Sequence, residues 1–195
     1  MNKNELKEPK FQSRVKVGWF VYAGGLVSEE LFEDETPIGV VAFKNQKGYY
    51  VLSLEQEEIS WDNTMECRHL YLESIKDNYD PDYGNASCRH LDFLAQYQNI
   101  KLDVLTYCKE FTDGEKLGFL PTPNEYGRFW QKKELINAAL RLVEAPLYDG
   151  IYWTCKLSPE ETATVFSMTT GSYEIEDRTE EFFVRPVLFF KYKKS

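Results

Sequence analysis

Apolar residues alternate with a period of two at both ends of this chain and recur near a period of 3.6 only in its middle. That distribution excludes a doubly wound parallel sheet, in which strands and helices must interleave. Val15, Val17, Trp19 and Val21 alternate with Lys16, Gly18 and Phe20, the pattern of a half-buried strand. Residues 38–43 and 49–54 are runs of β-branched and aromatic residues around Asn45-Gln46-Lys47-Gly48, a loop suited to an antiparallel hairpin. Strand chemistry returns at residues 151–155, 162–168 and 182–190. Pro186 has no N–H for a ladder, so the last strand is predicted to run at a sheet edge or to bulge there. The expected class is α+β, with antiparallel sheets and two or three helices alongside.

The middle is rich in turn and capping residues. Residues 62–87 read as a long surface loop, with Asp80-Pro81-Asp82-Tyr83-Gly84-Asn85 its clearest turn chemistry. Leu91, Leu94 and Ala95, then Val104, Leu105, Cys108 and Phe111, recur at helical spacing around a break near Gln98-Asn99. Thr122-Pro123-Asn124-Glu125 is a full capping box with Pro at the first helical position. From there Tyr126, Phe129, Trp130, Ile136, Ala139, Leu140 and Val143 keep one helical phase, which predicts one helix or two abutting ones, closed by Pro146. Residues 1–10 are charged and unpatterned and read as a flexible arm. No linker divides residues 11–195, which are expected to form a single domain.

The 195 residues carry 23 Lys and Arg against 32 Asp and Glu, a formal charge of −9. With no basic cluster beyond Lys191, Lys193 and Lys194, binding to nucleic acid or to an anionic membrane by counterion release is not expected. No apolar run is long enough to span a bilayer or to form a signal peptide. The chain as given therefore reads as cytoplasmic unless a leader was removed or it is phage-borne. Cys67, Cys88, Cys108 and Cys155 form no Cys-x-x-Cys pair, and the reading is of reduced, buried thiols.

A longer-range order is also present. Gly118-Phe119-Leu120-Pro121-Thr122-Pro123-Asn124-Glu125-Tyr126, Ile136-Asn137-Ala138-Ala139-Leu140, Ile151-Tyr152-Trp153-Thr154, Ala163-Thr164-Val165-Phe166 and Val184-Arg185-Pro186-Val187 follow one another in the sequence. Together they resemble a bacterial C-type-lectin-like family typified by the C-terminal domain of the Legionella collagen-like adhesin. The Pro37 to Val41 strand and Trp61 are similar to gut Bacteroidetes members. The likeness spans most of residues 15–190, with Phe119 where the family has Trp and Trp153-Thr154-Cys155 where it has Trp-Ser-Ser. It implies a C-type-lectin-like fold whose N- and C-terminal strands pair, here residues 15–21 with 184–190. It further implies a non-enzymatic adhesion or recognition domain that binds a protein or glycan through loops between the late strands. In this chain those loops are Tyr148-Asp149, residues 156–161 and residues 171–181, and Tyr148, Lys156, Tyr173 and Arg178 are the expected contacts, since Tyr and Arg give large contact area at modest entropic cost. An alternative is a structural or assembly subunit of a phage tail or surface appendage.

Two patterns bear on metals. The tetrads Cys67-Arg68-His69-Leu70 and Cys88-Arg89-His90-Leu91 contain a zinc-like set of Cys67, His69, Cys88 and His90. Their one-residue ligand spacing is shorter than usual zinc spacings, and on a helix positions i and i+2 diverge. Asn78, Asp80, Asp82 and Gly84 approach a calcium loop, but its sixth and twelfth positions would be Tyr83 and Arg89 rather than Gly and Glu. No cofactor is expected. No nucleophile elbow, phosphate loop or zinc-protease motif occurs, and Glu57-Glu58 and Glu180-Glu181 read as solvated faces.

Overall fold

The computed structural model describes residues 15–62, 80, 82–158 and 161–192. The arm expected at residues 1–10 lies outside them, as does most of the loop expected at 62–87. Among the described residues, strands precede and follow four helices, so the α+β class holds. The first sheet has the order β10-β4-β3-β1-β2, with β1 Phe20–Val21, β2 Val27–Ser28, β3 Gly39–Lys44, β4 Gly48–Ser53 and β10 Val187–Lys191, all antiparallel. The second has the order β5-β9-β6-β7-β8, with β5 Glu57–Ser60, β6 Ile151–Ser158, β7 Thr162–Ser167, β8 Tyr173–Asp177 and β9 Glu181–Val184. Its single parallel contact is between β6 and β9. The β3–β4 hairpin turns where the sequence placed it, with Asn45 Oδ1 accepting the N–H groups of Lys47 and Gly48.

The N- and C-terminal strands do not pair, a correction to the expectation. Both lie in the first sheet, but β3 and β4 separate them, and β10 pairs with β4 from Val187↔Leu52 to Lys191↔Gly48. Gly48 permits that pairing: a Cβ there would stand 2.0 Å from the Phe190 carbonyl oxygen. The N-terminal strand is also shorter than its alternation suggested. Gly18 has φ +87°, a left-handed conformation that interrupts an extended run, and strand pairing begins only at Phe20.

The four helices, where two or three were expected, are α1 Gly84–Tyr97, α2 Asp103–Glu110, α3 Pro123–Trp130 and α4 Lys133–Leu142. The break after α1 falls at Asn99, at φ 58°, where Asn tolerates the left-handed conformation. The predicted capping box of α3 is complete. Thr122 Oγ1 accepts the Glu125 N–H at 3.1 Å, and Glu125 Oε2 accepts the Thr122 N–H at 2.9 Å. The same oxygen also accepts the Gly84 N–H, the first of α1, at 3.1 Å. One carboxyl thus joins two helix starts.

The period of two in the first sheet separates two cores. Phe20, Val40, Ala42, Tyr50, Leu52, Val187 and Phe189 face the main core that the helices cover. Val21, Val41, Tyr49, Val51, Leu188 and Phe190 face the opposite side with Val15. Within the second sheet, Trp61 Nε1–H, just after β5, donates to the Thr154 carbonyl of β6, and Trp153 Nε1–H of β6 donates to the Ile59 carbonyl of β5, at 3.0 and 2.9 Å. The two indoles thus tie β5 to β6 across the intervening β9, each satisfying its N–H on a backbone carbonyl.

The expected long final strand is broken at Arg185-Pro186, where the chain leaves β9 in the second sheet and enters β10 in the first. Arg185 is fully buried. Its Nε donates to the Ser53 carbonyl at 2.8 Å, Nη1 to the Pro146 carbonyl at 2.8 Å and to Gln56 Oε1 at 3.1 Å, and Nη2 to the Leu54 carbonyl at 3.1 Å. Desolvation lowers its pKa, yet neutral carbonyl dipoles surround the charge and keep it satisfied. Pro186 closes the turn, its carbonyl accepting the Ser53 N–H. Arg185→Met should lower the unfolding free energy by about 3–5 kcal/mol, because it leaves several buried acceptors unpaired. Urea unfolding of the variant beside the wild type checks this.

Candidate functional site

Of the four expected contacts, two are buried and two are brought together at the surface. Residues 171–181 are mostly ordered as β8 and the start of β9, not as an open loop. Tyr148 is fully buried. Its ring lies 4.8 Å from that of Tyr152 and 6.3 Å from that of Tyr126, the Arg185 guanidinium stands 5.7 Å from it, and its N–H donates to Asn137 Oδ1. Burial holds its phenol well above the ordinary range. Tyr148 is therefore a core residue. Arg178 is also buried, at 4% exposure. Its carbonyl accepts the Trp61 and Asp62 N–H groups, and its Nη1 stands 3.8 Å from Asp62 Oδ2. Neither side chain is presented to a partner.

Lys156 and Tyr173 are brought together. Lys156 is half-buried on β6, and its ammonium stands 5.9 Å from the centroid of the Tyr173 ring, a cation–π distance. Tyr173 is 61% exposed and Ile175, two residues on, 60%. The register Phe166↔Tyr173 and Thr164↔Ile175 places both on one face of β8, the outermost strand of the second sheet. Ile175 was missed by the sequence reading. Its signal was the alternation of Tyr173 and Ile175 with Glu174 and Glu176, a strand pattern hidden in a segment read as loop.

The metal patterns do not converge. Cys67 and His69 lie outside the described residues. Cys88 and His90 are two positions apart on α1, so they point away from each other. Cys88 is buried, with its thiol donating to the Leu120 carbonyl at 3.3 Å. Among the described residues no three Cys, His, Asp or Glu side chains gather as a metal site. Asn78 of the calcium pattern also lies outside them, and Asp82 instead pairs with Arg128 of α3. Cys88, Cys108 and Cys155 are free and buried, and burial pushes the Cys108 and Cys155 thiols well up, so both stay protonated and weakly nucleophilic.

No family model matches the chain, and no curated protein matches it. Among solved structures it is similar to a fimbrial protein from Bacteroides ovatus, with a TM-score of 0.73 at 15% identity. The match covers 90% of this chain and 49% of that one, so the chain spans about half the length of the fimbrial protein. At this identity the likeness concerns the fold. No helix among the described residues is long and apolar enough to cross a membrane.

The buried carboxyl of Glu125 gives the scaffold a pH dependence. Burial raises its pKa from 4.5 to about 7, against the lowering effect of the Thr122 and Gly84 N–H groups. Because the folded value lies above the unfolded one, this contribution is fully present below pH 4.5 and is lost as pH rises through about 7. Asp113, Asp149 and Asp177 have lowered values and act in the opposite sense, below the ordinary carboxylate range. Unfolding stability should therefore fall between pH 5 and 7.5 in the wild type. It should vary less over that window in Glu125→Gln, as measured by chemical denaturation across the pH series.

Proposed function

We propose that the chain is a non-enzymatic recognition domain of a surface appendage, built on a C-type-lectin-like fold, whose contact face is the β8 surface of Lys156, Tyr173 and Ile175. The observation that carries this reading is the exposure of two large apolar side chains side by side on an edge strand, with a cation over one ring. Elsewhere on the strands the large apolar residues are mostly buried. Exposed Tyr beside Lys and an aliphatic chain suits either a polypeptide or a sugar ring, since an aromatic face stacks on both. The structural likeness to a fimbrial protein favours an appendage as the setting. The same likeness supports an assembly subunit as the second reading, in which the contact face meets other subunits.

Probing a glycan array and a protein array with the labelled chain identifies the partner class. Against whatever is retained, Tyr173→Ala and Lys156→Ala should each weaken binding about tenfold, a loss of ~1.4 kcal/mol, without changing unfolding stability. Retention equal to wild type in both variants would remove this face from the account.

A further inference from the structure

A second surface on the opposite sheet complements this face. Strand β10 borders the first sheet, and among the described residues its outer side is paired only at Val187, whose N–H and carbonyl both bond to Phe119 at 3.0 Å. Beyond that bridge the chain before Phe119 turns away: Leu117 bridges to Thr112, and the Gly118 N–H donates to the Phe111 carbonyl. The alternation of an antiparallel strand aims the backbone groups of Leu188 and Phe190 at β4 and those of Phe189 and Lys191 outward. The Tyr192 N–H, donating to the Lys47 carbonyl, keeps the same phase. Among the described residues nothing bonds to the outward groups of Phe189 and Lys191. A groove of roughly 1180 Å³ wraps this edge, lined by apolar Phe189, Leu105 and Leu117 and by charged side chains. Two of its cations are neutralised within it, Lys109 by Asp92 at 2.7 Å and Lys116 by Asp113 at 2.9 Å. Arg89 and Lys191 carry no ion pair among the described residues.

We propose that this groove receives strand β8 of a second copy of the chain, so that copies associate head to tail by edge pairing. The proposal rests on the reading of the β8 face as a contact surface and names its partner. Both strands have five residues, Tyr173–Asp177 and Val187–Lys191, so the incoming strand covers the length of the open edge. Among the described residues strand β8 pairs only with β7, and the backbone groups on its other side face away from that sheet. Its alternating side chains divide into exposed Tyr173 and Ile175 on one face and Glu174 and Glu176 on the other. With Glu174 and Glu176 on the face of Phe189 and Lys191, the acidic pair meets the cations of Arg89 and Lys191, and Tyr173 and Ile175 fall on the opposite face, against Phe190. Because groove and strand lie on different sheets, the contact is heterologous, and repetition gives a ring or a filament rather than a closed two-fold dimer.

Sedimentation and light scattering from about 10 µM to 1 mM test this, the range in which a small interface associates. The wild type should gain mass with concentration, and less so at high salt. A strand-blocked variant, Glu174→Lys with Ile175→Lys, and a groove-blocked variant, Arg89→Glu with Leu117→Glu, should each remain monomeric. Mixed, they should give a one-to-one complex, since each still supplies the half the other has lost. All four positions are exposed, and matching circular dichroism and urea midpoints verify folding. A fluorescent peptide of residues 171–179 should bind the wild type and fail to bind the groove-blocked variant. A wild type that stays monomeric throughout, association surviving in either variant alone, or a mixture without complex overturns the proposal. Array binding that remains sensitive to Tyr173→Ala in such a monomer would leave the recognition reading standing while sinking this one.

Discussion

A desolvated guanidinium organises this molecule. Arg185 sits where the chain crosses from one sheet to the other, and its donors go to the carbonyls of Ser53, Leu54 and Pro146 and to Gln56. Those acceptors belong to the end of β4, the connection to β5 and the segment after α4. A buried cation costs several kcal/mol unless its donors are all used, so its position specifies the arrangement of three separate segments at once. Tyr148 and Tyr152 pack around it, and the aromatic stack continues through Tyr126 to Phe166. The sheets are thereby held at a fixed relation, and the edges they leave open are fixed with them.

Those open edges define what the surface offers. Glu125 joins the starts of α1 and α3 beside Phe119, and the segment through Phe119 pairs with β10 at Val187 and then diverges. On the other sheet, the turn at Ser167 to Gly171 brings β8 back onto β7, leaving Tyr173 and Ile175 at the rim. Edge strands are usually guarded by charge. Here β8 carries Glu174 and Glu176, and among the described residues Arg89 and Lys191 of the β10 groove carry no ion pair, the charge pattern on which the proposed pairing rests.

Much of the local structure was legible in the sequence. Thr122 to Glu125 announced a capping box and Asn45 to Gly48 a hairpin, because each depends on one or two residues acting on their own backbone, whereas Pro186 was read as an edge or a bulge in one strand and instead marks the crossing between two sheets. Pairing between distant segments was less legible. Residues 15–21 alternate well enough for a strand, yet Gly18 halts it and β3 occupies the edge that the C-terminal strand was expected to take. Burial was hardest to read: Tyr148 and Arg178 have the chemistry of contact residues, and only the surrounding rings and Asp62 withdraw them. Arg185 was visible within a motif, but its function as a clamp depends on carbonyls more than a hundred residues away in sequence.

Native-state hydrogen exchange read by NMR, followed across low denaturant, tests the clamp most directly. In the wild type the protected amides of β4 and β10 in the first sheet and of β5 and β9 in the second should open with one common free energy. In Arg185→Met the two groups should separate, one sheet opening before the other. Independent opening of the sheets in the wild type, or a common opening that survives the substitution, would contradict the account.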